Sequence, residues 1–336
     1  LSKATIKQVA LEAEVSTATV SRVLNDSGFV SDEVKSRVLD VVNRLNYQPS
    51  AIARSLKQDK TFMIGVIVPD ISNPYFMGIS RGVEDVVGQE GFQLIFCSSD
   101  ENPEKEKKLL QLMQEKRVDA IVLATSGDND AILERLSDSG MPIVLIDRKL
   151  KSKEAGSKLD LVAEDNIDGA SRLTRKLLEA GHVRIGVVNG PSRVSTGRER
   201  YAGVLKAMKE FGLDTNPLVF NGKDFSIEDG IRAVRKFLSE EERPTAIVSL
   251  NNRMSLGVLL EIVRSGLRIP DDIAVASFGE VEAGALLKNP GLYYMDQRPY
   301  EMGQKAGEIL LRRIRKDETQ SNAQLELFYN EINRFG

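Results

Sequence analysis

The sequence predicts a small all-α head joined to a larger α/β body of two lobes. Residues 1–60 carry three short amphipathic helical patterns separated by caps and turns. From Phe62 onward, short apolar runs alternate with helical patterns, which is the rhythm of parallel βαβ units. That rhythm stops in the charged stretch Lys151 to Lys158 and then resumes, so two similar lobes are expected rather than one sheet. A chain of 336 residues is long enough for two or three domains.

In the head, Thr5 is a good N-cap, and Ile6, Val9, Ala10 and Ala13 recur at helical spacing on one face. Ser16 can cap a second helix with Val20, Val23 and Leu24 inward and Thr17, Ala18, Ser21 and Arg22 outward. Only a short turn separates the two, which is a helix-turn-helix arrangement. After the turn cluster Asn25-Asp26-Ser27-Gly28, Ser31 is expected to cap a third helix. Asp32 and Glu33 sit in its favourable first turn, and Val34, Val38, Val41 and Leu45 form its stripe. Residues 1–60 hold 9 Lys+Arg and 7 Asp+Glu, net +2, and the remainder holds 37 and 42, net −5. Periodicity alone leaves a DNA-binding head and a plain three-helix packing module both open. In a major groove, Arg favours guanine, and Thr or Ala can touch the thymine methyl. Tyr47-Gln48-Pro49-Ser50 breaks the pattern, and Ala51 to Leu56 allows at most two further turns, too short to persist alone in water.

In the body, strands are expected at 62–68, 92–97, 119–124 and 142–146, with helices at 75–90, 103–116 and 130–139. The stretch 151–158 reads as an exposed insertion or lobe junction. Strands follow at 183–188, 217–220, 245–250 and 272–278, with helices at 166–180, 198–211, 227–240 and 252–265. Pro299 opens a last long helix to about Arg315, and Phe328-Tyr329 suggests a terminal strand. Cys97, the only cysteine, rules out an internal disulfide and is expected to be a buried strand residue. The polar start and the lack of a long apolar run point to the cytoplasm, with no membrane partner. No phosphate-loop, dinucleotide or nucleophile-elbow motif occurs, and the lone His182 reads as structural. No catalytic residue, cofactor or metal is therefore expected.

The run from Thr5 to Leu56 closely resembles the LacI/GalR family of bacterial transcription regulators. The resemblance continues through Gly65 to Phe76, Ile146-Asp147-Arg148, Gly181-His182-Val183-Arg184-Ile185-Gly186, Arg200-Tyr201-Ala202-Gly203, Pro270 to Val275 and Glu301-Met302-Gly303. It implies a helix-turn-helix head at 1–48 and a hinge helix with linker at 49–60. It also implies a periplasmic-binding-protein-like (type I) effector domain, with one lobe from 61–160 plus 296–322 and the other from 161–295 plus 323–336. It assigns base reading to Thr17, Ala18 and Arg22, and positions near phosphates to Thr5, Ser16, Thr19, Ser21 and Asn25. Leu56, with Ala53 beside it, takes the place of the minor-groove wedge. The implied partners are palindromic operator DNA, a second copy of the chain and a small sugar-like effector.

The same resemblance maps effector contacts onto Asp70, Asn73, Tyr75, Phe76, Thr125, Arg148, Thr196, Arg200, Asn252 and Gly279. Tyr75 and Phe76 would offer a stacking platform, and the arginines would hold hydroxyls or a carboxylate. Two positions depart from the family pattern: Asn252 and Gly279 stand where aspartates are usual. Losing two acceptors while arginines remain makes an acidic or phosphorylated sugar the sharper expectation. A neutral sugar served by Glu280 and a phosphorylated carrier-protein corepressor are the alternatives. An exported solute-binding protein and a sugar-metabolising enzyme are the competing classes, the first opposed by the head and the second unsupported by any motif.

Overall fold

The computed structural model describes residues 4–47, 60–287, 291–316 and 323–335. The chain divides into two compact units, Leu1–Phe62 and Met63–Gly336. In the first, helices span Ile6–Glu12, Thr17–Leu24 and Asp32–Arg44. The Thr5 and Ser16 side chains accept from the amides of Gln8 and Thr19, so both predicted caps form. Ser31 occupies the N-cap position of the third helix but its side chain makes no capping bond. Val9, Ala10, Ala13, Val20, Val23, Val38 and Val41 close a single small core. The hinge expectation, including Ala53 and Leu56, lies outside the described residues.

The second unit contains two sheets. The first joins β1 (Met63–Val68), β2 (Gln93–Ser98), β3 (Ala120–Leu123), β4 (Ile143–Ile146), β5 (Asp160–Glu164) and β11 (Leu325–Phe328) in the order β11-β5-β4-β3-β1-β2, all parallel. The second joins β6 (Ile185–Asn189), β7 (Leu218–Asn221), β8 (Ala246–Ser249), β9 (Ala274–Ser277), β10 (Leu292–Met295) and β12 (Ile332–Arg334) in the order β12-β10-β9-β8-β6-β7. Only β12 is antiparallel to its neighbour. Near-continuous apolar strands such as Met63–Val68 are what a sheet covered on both faces requires. Both lobes use glycines to bring helices together. A Cβ on Gly82 would lie 2.1 Å from the Tyr300 carbonyl, and one on Gly257 would lie 2.0 Å from that of Ile227.

Four expectations need correction. The boundary at 160/161 cuts through β5, which pairs with β4 in the first sheet. The strand escaped notice because its apolar centre, Leu161 to Ala163, is framed by acids; Asp160 is neutralised by Arg313 at 2.7 Å. The segment Lys151 to Lys158 is therefore no lobe junction; it contains the short helix Lys153–Ser157 inside the first lobe, and the chain crosses after Glu164. Leu325–Phe328 also joins the first sheet, so 323–336 does not belong wholly to the second lobe. Cys97 is only partly buried, because β2 is an edge strand.

Candidate functional site: a reading head and an inter-lobe cleft

On the head, the caps leave the start of the second helix facing solvent. Ser16, Thr17, Ala18, Arg22 and Asn25 are exposed, while Thr19 and Ser21 are partly so. Neighbouring bonds order this surface: Ser16 Oγ lies 2.9 Å from Thr19 Oγ1, and Asn25 Nδ2 donates to the Ser21 carbonyl at 2.8 Å. Thr5 stands exposed at the start of the first helix. Phe29 is 96% exposed in the turn before the third helix, an apolar side chain that periodicity did not single out.

The cleft of the body lies where strands of both sheets end, the position at which parallel α/β sheets present their loops. Asp70 follows β1, Asp100 and Glu101 follow β2, and Asp147 and Arg148 follow β4. Asp224 and Phe225 follow β7, Asn251 and Asn252 follow β8, and Gln297 follows β10. Thr196 and Arg200 reach in from the helix Ser195–Glu210. The space these residues line is about 230 Å³ and opens to solvent. Of the ten expected contacts, Asp70, Asn73, Tyr75, Phe76, Arg148, Thr196, Arg200 and Asn252 line it.

Thr125 and Gly279 do not line it. Thr125 donates to the buried Glu106 carboxylate at 2.9 Å, and its carbonyl accepts from Arg148 Nη1, so it supports the arginine from behind. Gly279 has φ +102, and a Cβ there would meet Gln297 Oε1 at 2.4 Å. The glycine thus makes room for Gln297, which donates to Glu164 at 2.7 Å. Tyr75 and Phe76 meet edge to face at 66°, so they do not form one flat platform. The Tyr75 hydroxyl donates to Asp147 at 3.2 Å, and burial together with Asp147 and Glu164 holds the phenol well above its ordinary pKa.

Neither buried arginine stands alone. Arg148 grips Glu101 through both terminal nitrogens at 2.9 and 2.5 Å and lies 5.2 Å over the Phe225 ring. Arg200 donates to Asn166 and the Leu250 carbonyl, lies 3.4 Å from Asp147 and 3.5 Å from Glu164, and stacks on Phe278. Burial pushes the Glu164 carboxyl up to about 8 despite Arg200 beside it. The backbone is left-handed at Asp100, Glu101 and Asp147, none of them glycine, and such conformations gather at functional sites. Glu101 and Phe225 were missed in the sequence because each sits on a loop without periodicity; only the β-strand to loop position marked them. Among the described residues, no cluster of His, Cys, Asp or Glu could hold a metal ion, and no helix is long and apolar enough to cross a membrane.

Comparison with known proteins matches residues 5–50 to the bacterial regulatory proteins of the lacI family. It matches residues 61–329 to the periplasmic binding proteins and sugar binding domain of that family. The chain belongs to the LacI family. It is 37% identical over 317 residues to the HTH-type transcriptional repressor PurR of Haemophilus influenzae (strain PittEE), covering 94% of this chain and 93% of that protein. The structure of the transcriptional regulator CelR–cellobiose complex superimposes with a TM-score of 0.73 at 26% identity, covering 98% of each chain. The Lac repressor dimer bound to operator and the anti-inducer ONPF shares the fold, with a TM-score of 0.82 at 24% identity over 100% of this chain and 98% of that one. This LacI-family chain is a DNA-binding transcriptional repressor with a small-molecule effector.

Proposed function

We propose that this repressor acts as a homodimer on a palindromic operator in the bacterial cytoplasm. Thr17, Ala18 and Arg22 read bases, with Thr5, Ser16, Thr19, Ser21 and Asn25 near the phosphates. The exposure of Thr17, Ala18 and Arg22 along the second helix supports this assignment. Leu56, with Ala53 beside it, serves as the minor-groove wedge, and the protein turns over no substrate. Operator affinity is set by a small, hydroxylated, sugar-like acid in the cleft. The observation that carries the effector reading is the pair of buried arginines, 2% and 3% exposed, facing an open polar space beside the Phe76 and Phe225 rings. Cellobiose in the CelR complex supports a sugar-like ligand. A phosphorylated carrier protein is the second reading, and the inward-facing arginines favour the small molecule over it.

Genomic footprinting of bound DNA should return palindromic sites. Arg22→Ala should weaken operator binding by roughly 1–3 kcal/mol, one bidentate base contact, with little change on random DNA. Equal losses on both DNAs would refute base reading by Arg22. Adding effector during the same titration reads the sign of control, since an effector acts only through its differential affinity for two states.

A further inference from the structure

We propose that the Glu101 carboxylate is a built-in stand-in for the effector's own acid group, and that a small hydroxylated carboxylic acid displaces it from Arg148 and Arg193. The inference rests on the cleft being the effector site. Arg148 holds both Glu101 oxygens in a fork-to-fork geometry, the arrangement in which guanidinium recognises a planar carboxylate. From the opposite lobe, Arg193 Nη2 donates to the Glu101 carbonyl at 2.7 Å and lies 3.6 Å from its carboxylate.

Glu101 is the cleft carboxylate best placed to leave. Asp147 is fixed by Tyr75 and Arg200, and Glu164 by Gln297, Asn330 and Arg200. Glu101 hangs from a loop whose two successive residues, Asp100 and Glu101, have φ of 52° and 54°. Moving it outward relaxes that loop and returns its charge to water. The incoming carboxylate replaces one anion by another, so no buried arginine is left unpaired. Thr196 Oγ1, which also lines the space, is buried without a hydrogen-bond partner, while Arg148 Nε lies 3.5 Å from Asp147 Oδ2.

The exchange selects carboxylate over phosphate. A phosphate carries about −1.5 to −2 charge and would face Asp70, Asp100, Asp147 and Asp224 around the same space. A neutral sugar has no group to compete for Arg148 and would bind with Glu101 in place.

The test is calorimetric titration of the full chain, its Glu101→Gln variant and its Arg200→Ala variant with gluconate, glucuronate, glucose and glucose 6-phosphate. Gln keeps the size of Glu101 and one hydrogen bond to Arg148 but gives up the competing charge. Glu101→Gln should bind at least one of the two carboxylates about tenfold more tightly than wild type and leave glucose unchanged, with glucose 6-phosphate weaker than the carboxylate in both. Carboxylate affinity that is unchanged or reduced in Glu101→Gln overturns the proposal, as does tighter binding of the phosphate or no carboxylate binding at all. Glucose binding that depends on Arg200 while both acids fail would remove the stand-in and keep the cleft. Binding indifferent to Arg200 would remove the cleft reading as well.

Discussion

Glu164 is the residue whose chemistry is most displaced from its solution behaviour. Its carboxyl is pushed from 4.5 up to about 8, chiefly by burial, with the nearby Asp147 charge adding to it. The folded chain then holds a proton that the unfolded chain releases above its ordinary pKa. Stability should therefore fall as pH rises from roughly 4.5 to 8 and level off beyond. Glu164→Gln removes that proton exchange, and Asn330 can turn its unpartnered Oδ1 toward the new amide. Thermal melts should show wild type losing ground to Glu164→Gln between pH 5 and 8; a gap constant over that range would show that no buried proton exists. At this scale the sequence was legible where a side chain belongs to a motif, as with the placing of Arg148 and Arg200 at the cleft. It was opaque where partners come from far along the chain. Glu101 meets Arg148 across 47 residues, and Gln297 takes the space over Gly279 from outside any pattern.

Among the elements, the segment Gly222 to Ser226 decides where Phe225 stands. Its anchor is Asp229, in the first turn of the helix Ile227–Ser239 and fully buried. The Asp229 carboxylate accepts from the Asp224 amide at 3.1 Å and pairs with Arg232, while its own amide donates to Ser226 Oγ. Asp229→Ala would free these donors, costing about 1–3 kcal/mol, and would let Phe225 leave the face of Arg148. Effector affinity in calorimetry should drop while operator binding without effector holds. Asp229→Asn keeps an acceptor and should lie close to wild type; equal behaviour of the two variants would deny the anchor role. Helices and long apolar strands were legible at this scale because each carries its own period. The strands β5 and β10 were not. The first is framed by acids that find partners only in the folded state, and the second is four residues, Leu292–Met295, with two only partly buried tyrosines.

For the whole body, the lobes are clasped across the cleft by pairs with different tolerance for change. Lys149 donates through its amide to Ser195 and through Nζ to Glu199, and Arg200 faces Asp147. Asn73 and Asn252 exchange two amide hydrogen bonds, at 2.9 and 3.3 Å. Asn73 cannot reverse its amide without cost, because Oδ1 also accepts from the Tyr75 amide at 3.0 Å and so caps the helix Pro74–Val87. An aspartate at 252 would keep the acceptor, lose the donor and set a carboxylate oxygen against Asn73 Oδ1. Asn252 therefore favours closure here at the position where the family resemblance implies a ligand acceptor. Asn252→Asp should open the lobes, seen as a larger radius of gyration in X-ray scattering of the effector-free protein. One lost hydrogen bond of about 1 kcal/mol lowers the closed-to-open ratio several-fold, and effector affinity should weaken in proportion to the closed fraction if closure precedes binding. An unchanged radius with tighter effector binding would instead make residue 252 a ligand contact alone, leaving closure to the Arg200–Asp147 and Lys149–Glu199 pairs.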